Sequence, residues 1–440
     1  MKRLFTSIAL VSLAVVSFAG GLFTNTNQHA AFHRNPALGS SLGIEAVYFN
    51  PAGTAFFKEG WSFSANWQMI WQQRDATNTK TDTKYDGKVF VPVMPTLMAA
   101  YNTGDWTFSA FFGMPGGGGE CEFNDGLPLF DNLISGLGGA FQLPVKGSSE
   151  FSSTQYMFSL QLGAAYKITD NFSAYAGIRG NYINNNYNGV IAANADLSAM
   201  GMPGNTELLN VSLDLDQTGI AFAPIVGLDY KIGNFNFGAK YEFRAVTSIE
   251  NETEPIKINT NATVDGVLNG ALSTGANMAL GNYLGGFADG KTFRNDAPAL
   301  LSLNGSWQII PMVKVMAGWN YYFDKDAKVE SLLGGDQMKN LSRNTIEYQF
   351  GTEVKVCKNL LLSAGIQYTN FGMNDSYVSD LNFNNDAFMT AIGGKYSIND
   401  KLDVNFGYSY TNYAPYNNKA TSTYYKRTTH AATVGVDFRL

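Results

Sequence analysis

Few residues in this chain combine type and spacing in a way that supports chemistry. His29 and His33 stand four apart, which on a helix would suit a metal, but no carboxylate or cysteine completes a set, so packing is the simpler role. Cys121 and Cys357 are the two cysteines, too few for a disulfide scaffold and without metal-ligand spacing. The run Gly116, Gly117, Gly118, Gly119 is not a phosphate loop, because no Lys-Ser/Thr follows it and no helix opens there. No nucleophile is paired with a base and no two carboxylates share a credible frame. Catalysis has no support, and no cofactor or metal is implied.

The elements that would position any site come next. Residues 1–19 read as a secretory signal: Lys2 and Arg3, an apolar run, then a small-residue site at Ala19. Its removal takes away only those two cations and moves the net charge from −6 to −8, a mildly acidic balance that excludes nucleic acid as a partner. No later uncharged apolar stretch reaches the ~18 residues of a spanning helix. Period-two alternation dominates instead. In "HAATVGVDFRL" one face carries Ala432, Val434, Val436, Phe438 and Leu440, and the other Thr433, Gly435, Asp437 and Arg439.

Short turns such as "YKITDNF", "YKIGNFNF", "VKVCKNL" and "YSINDKL" alternate with longer polar connections, roughly 72–88, 114–153, 189–218, 251–297 and 324–343. About fourteen strands follow from this count. An even, antiparallel, all-β set with one short-turn end, one long-loop end and aromatic-edged apolar faces predicts a transmembrane β-barrel. A large soluble β-sandwich or propeller is the alternative. In the barrel the apolar band of ~25 Å separates Cys121 from Cys357, beyond the ~7 Å reach of a disulfide.

Strands begin only near residue 60, so the chain divides into 1–19 signal, 20–59 N-terminal plug and 60–440 barrel. The segment 20–59 is too apolar to be a disordered tail, and the lumen of a fourteen-strand barrel is the cover available to it. Two Asn-Pro-Ala corners, at Asn35 and Asn50, fit a compact plug whose Asn side chains bond backbone groups without ladder partners. Here the sequence resembles a known family. "YFNPAG", between an N-terminal segment and the first strand, is similar to the hatch motif of the FadL/TodX family of outer-membrane long-chain fatty acid and hydrocarbon transporters. "GGECEFND", "GLDYKIGNFNFGAKYEFR" and "APALLSLNGSWQIIPMVKVMAGWNYY" resemble further segments of it, and the similarity covers most of the mature chain.

The resemblance implies a monomeric barrel in the outer membrane of a Gram-negative cell, plugged by its own N-terminus. It implies passive uptake of a hydrophobic small molecule, most of all a long-chain fatty acid, taken up at apolar outer loops, passed to a site beside the plug and released laterally through a kink in the third strand. Hatch residues are then Asn50, Pro51 and Ala52. The kink falls on Pro115, Gly116, Gly117, Gly118 and Gly119, where proline and glycine also disfavour regular pairing, unless the run simply begins a flexible loop. Expected ligand contacts are Leu22 and Phe23 in the plug and Leu129, Phe130, Leu133 and Leu137 in an outer loop with an amphipathic middle, read as a gathering groove over plain loop packing. Arg179 and Arg244, assigned to the lumen face, either meet a carboxylate head group or pair with the barrel's own acids. Membrane lipids and, through the C-terminal strand, the barrel assembly machinery are the expected partners. A FadL-shaped interaction barrel, such as a secretion-system shuttle, and a general porin are the competing functions.

Overall fold

The structure, a computed structural model, describes residues 28–440 apart from 142–144, 255, 331–334 and 381. Strands follow one another along most of the chain: β1 (Gly60–Asn78), β2 (Thr83–Asn102), β3 (Trp106–Phe123), β4 (Val145–Thr169), β5 (Phe172–Ala195), β6 (Thr206–Ile232), β7 (Phe235–Glu242), β8 (Ser248–Thr253), β9 (Lys257–Thr260), β10 (Thr292–Arg294), β11 (Leu300–Ile310), β12 (Val313–Tyr322), β13 (Thr345–Lys355), β14 (Leu360–Asn370), β15 (Ala387–Asn399), β16 (Leu402–Asn418) and β17 (Thr423–Arg439). β7, β8 and β9 lie in succession along β6 as one broken stave, and β10 with β11 forms the next. The result is a closed antiparallel barrel of fourteen staves, sealed where β1 pairs with both β2 and β17.

Alternation sets which face meets lipid. On β1, Ser62, Ser64, Asn66 and Gln68 are buried inside, while Trp61, Phe63, Trp67 and Trp71 are exposed on the outer wall. Trp61 stacks on Phe63 with ring centroids 5.4 Å apart and Trp106 packs on Tyr166 at 4.7 Å, forming aromatic clusters at the short-turn end of the wall. Among the described residues no helix is long and apolar enough to cross a membrane.

Two of the expected long connections are mostly strand. Residues 72–88 are a ladder with a turn at 79–82, and 189–218 is strand up to Ala195 and again from Thr206. In the upper part of β5, Ile191, Ala193 and Ala195 keep alternate positions, but the residues between them are small and the segment reads as connection. The other outer connections hold helices: α2 (Pro128–Phe141) between β3 and β4, and α3 (Ala262–Val267) and α4 (Ala271–Leu284) between β9 and β10, α1 (Ala46–Phe49) lying in the plug. Cys121, buried on β3, and Cys357, exposed in a turn, are both free.

The plug lies inside the lumen on a row of glycines. Gly351, Gly365, Gly393, Gly407 and Gly435 come from five successive strands, β13 to β17. A Cβ on Gly407 would stand 2.9 Å from the His33 carbonyl carbon, one on Gly393 2.9 Å from Arg34 Cβ, and one on Gly365 2.6 Å from Pro36 Cδ. Side chains there would hold the plug off the wall, so glycine in these strands serves close backbone approach.

Candidate functional site

The hatch is built from a short turn of helix, a corner and a second turn. Asn50 ends α1, and Pro51, whose missing N–H costs nothing at a helix start, opens a 3₁₀ helix, Pro51–Phe56. The Asn50 amide donates to the Ser41 carbonyl at 3.0 Å and to the Asp229 carboxylate on β6. Wall side chains then reach the hatch carbonyls that have no ladder partner: Gln161 Nε2 donates to Val47 at 3.0 Å, Lys240 Nζ to Tyr48 at 3.1 Å, Ser173 Oγ to Ala52 at 2.8 Å and Thr107 Oγ1 to Thr54 at 3.1 Å. Further along the plug, Arg34 Nη1 pairs with Glu353 at 2.7 Å on β13. Asn35 turns its carbonyl oxygen onto the Ala37 N–H at 3.1 Å, so the upstream Asn-Pro-Ala corner is also closed by its own side chain.

His29 and His33 do not converge. His33 bonds Ser409 at 2.8 Å and Gln68 at 2.9 Å, whereas His29 approaches Asp437 and Ser64, each at 3.1 Å. Glu45 completes a buried group with His29 and Asp437 whose donor atoms lie within 4.8 Å of one another. The donor set does not fit a cation. His29 Nδ1 accepts the Ala31 N–H at 2.9 Å, so Nε2 carries the proton and donates, leaving no lone pair for a metal. The cluster ties the plug to the two strands that close the barrel.

β3 runs on through its proline and glycines, but irregularly. Gly117 sits at φ 105° and Gly119 at φ 78°, conformations that side chains rarely adopt. Toward β4 the ladder survives with shifts at Gly113/Gly116 and Gly117/Gly119. Toward β2 it does not: Leu97 pairs with Phe112 and Val89 with Cys121, and residues 90–96 of β2 and 113–120 of β3 between them share no pairing. β2 contributes as much to this seam as β3. It carries Pro92 and Pro95, which have no N–H to donate, and sequence reasoning passed over them although paired prolines inside a strand mark an unpaired edge. Behind the seam lies an apolar cluster that includes Val91, Met94, Met114, Phe123 and Tyr425. The plug reaches it too, since Gln28 Nε2 donates to the Met114 carbonyl at 3.0 Å.

A closed antiparallel barrel of fourteen staves is an arrangement that known proteins share. Residues 10–438 match a family described as outer membrane protein transport protein (OMPP1/FadL/TodX). The chain belongs to this FadL/TodX family. A FadL homologue of Pseudomonas aeruginosa has the same fold with TM-score 0.65 at 17% identity, over 94% of this chain and 98% of that one. The toluene transporter TodX of Pseudomonas putida gives 0.61 at 14% over 98% and 100%, and the toluene transporter TbuX of Ralstonia pickettii 0.57 at 13% over 95% and 100%. No curated protein matches the chain in sequence. As a FadL/TodX member it is an outer-membrane barrel that transports hydrophobic compounds, in a family of channel-type transporters.

Other residues of this FadL/TodX barrel fall differently from expectation. Leu129 and Phe130 are buried in the apolar cluster with Leu127, so α2 is packed down into the barrel mouth and is not an exposed groove. Ile134 of α2 shares a second cluster with Leu272 and Ala276 of α4. Leu133 and Leu137 belong to α2, but their side chains, like all of Leu22 and Phe23, lie outside the described residues. Asp380, in the connection between β14 and β15, accepts the Leu129 N–H at 2.7 Å and the Tyr425 hydroxyl, fixing the start of α2; burial pushes its carboxyl up to about 6. Arg179 is on the lumen face as expected, but it is spoken for: Glu242 lies 2.6 Å away and the Tyr48 ring 4.6 Å beneath it. Arg244 is not in the lumen. The stave breaks after Glu242, the alternation loses its phase, and Arg244 is exposed beside Asp296. The cations that do face the apolar cluster are Arg74 on β1 and Arg427 on β17, missed because their segments read as polar loop and strand margin.

Proposed function

We propose that the chain takes up long-chain fatty acids or similar hydrophobic compounds and releases them sideways, through the seam between β2 and β3, into the outer membrane. Residues 1–19 act as the export signal, residues 20–59 as the hatch, and the mature chain works as a monomer whose terminal strand, ending in Phe438 and Leu440, is the handle for the barrel assembly machinery. The observation that carries the reading is the seam itself. It joins the apolar interior to the lipid-facing wall, and Phe90, Val93 and Leu97 line its outer side as exposed side chains. Moving an alkyl chain from such an interior into water costs ~0.8 kcal/mol per methylene, while passing it into lipid costs almost nothing. A path downward would also have to dislodge the plug. Leu129 and Phe130 guard the entrance, Asn50, Pro51 and Ala52 hold the hatch beneath, and Gln28 couples the plug to the kinked carbonyl of Met114.

A reversible clamp tests this. A Cβ at Gly119 would stand 3.7 Å from Val91 Cβ, within disulfide range. Val91→Cys with Gly119→Cys, in a Cys121→Ser background, should stop delivery of a labelled fatty acid to the membrane when oxidised and restore it when reduced. Delivery at the same rate in both states would exclude the lateral route.

A further inference from the structure

We infer that Arg74 and Arg427 form the binding site for an anionic head group, so that the compound carried is a single-chain carboxylate and not a neutral hydrocarbon; this rests on the uptake reading above. The two arginines are direct partners in the ladder that closes the barrel, on the inward face that also carries Ile70, Ala76, Tyr425 and Ala431. Like charges placed opposite each other on one face repel, and such pairs are avoided unless something neutralises them. Among the described residues nothing does, for neither arginine has a carboxylate within 4.0 Å. They rest on aromatic faces, Arg74 at 4.7 Å over Phe383 and Arg427 at 4.3 Å over Tyr413, which position the guanidinium groups without cancelling their charge.

Unmet hydrogen bonds gather at the same place. The Nε atoms of Arg74 and Arg427 are buried with no acceptor, and so is the Thr429 hydroxyl, two residues along the same face. Asn385, 2% exposed and next to the Asn384 that accepts from Arg427, has neither end of its amide bonded. Buried donors left open in this way call for an acceptor. A carboxylate supplies it, taking two parallel N–H bonds from one guanidinium and offsetting the charge of the other. The alkyl chain then lies along the apolar cluster toward Val91 and Met114 at the seam. A monoaromatic hydrocarbon has no acceptor to offer and would leave both charges unmet.

The full chain in lipid nanodiscs, titrated separately with oleate and with methyl oleate, tests the assignment. Oleate should bind at least about tenfold more tightly than its ester, and Arg74→Gln and Arg427→Gln should each weaken oleate by about tenfold while leaving the ester unchanged. Arg244→Gln should alter neither. If a Gln variant loses folded-barrel mobility on gels, the oleate-to-ester ratio of the native chain decides, and a ratio near one overturns the site. Equal binding of both ligands, or unchanged oleate binding in folded variants, overturns the arginine site and leaves hydrophobic uptake standing. Binding of neither ligand overturns both.

Discussion

At the scale of single residues, burial sets what each polar group does. Asp380 is the clearest case outside the membrane span. Its carboxyl is raised from 3.8 to about 6 by burial, so the folded chain holds the proton more tightly than the unfolded one. Stability from this group is therefore full below about pH 4 and is lost as pH rises through about 6, a change on the order of 3 kcal/mol. Denaturant unfolding of native and Asp380→Asn barrels at pH 4 and pH 6.5 should show that loss as the difference between the two proteins. Asn50 makes a second case, because its amide holds both the Ser41 carbonyl and the Asp229 carboxylate. Asn50→Ala with Pro51→Ala strips these bonds, worth roughly 1–3 kcal/mol where groups are left buried and unmet, yet touches no ladder. Uptake of a labelled fatty acid should slow while the amount of protein at the surface stays the same.

Elements decide where the barrel is tight and where it is open. Five strands are thinned to glycine along one row so that residues 30–36 can lie against them. Gly407→Val should push His33 and Ala30 inward without disturbing the β16 ladder. Single-channel recordings in planar bilayers should then show an open conductance that the native chain lacks, and a closed trace would argue that the plug repacks around the new side chain. The seam is the opposite device. Pro115 and the glycines after it read in the sequence as disfavouring regular pairing, as a kink or as the start of a loop, and the structure carries them within β3. Which neighbour would lose its pairing was not legible, because β3 keeps β4 and loses β2, and that choice depends on Pro92 and Pro95 standing opposite.

For the molecule as a whole, fourteen staves close on themselves through the pairing of β1 with β17, with the unpaired stretch between β2 and β3 set into an outer wall that is apolar from Trp61 around to Phe438. The protein should migrate as a heat-modifiable monomer and give a β-type circular dichroism spectrum in detergent. A helical spectrum, or a stable trimer on native gels, would contradict the architecture or the monomeric state respectively. Loss of the terminal residues Phe438 and Leu440 should lower assembly into the membrane more than it lowers the stability of barrels already folded, measured as folded fraction after expression.

Alternation with period two is a local property, so the sequence by itself determined the membrane-level parts of the strands, their lipid-facing sides, the barrel class and the two turns at Asn35 and Asn50, but not how far the strands run on beyond them. The corners at Asn35-Pro36 and Asn50-Pro51 could be read for the same reason, because proline and asparagine act on their immediate neighbours. Contacts between distant segments were not readable in this way. His29 met its carboxylates only when the plug, the first strand and the last strand came together. Arg179 and Arg244 looked equivalent along the chain, but a break after Glu242 left one against the plug, over the Tyr48 ring, and the other outside the lumen. Arg74 and Arg427 lie at opposite ends of the barrel sequence, and only closure of β1 on β17 made them neighbours. Their charge was always visible in the sequence; that it would go unpaired depended on which side chains the closed wall brought within reach.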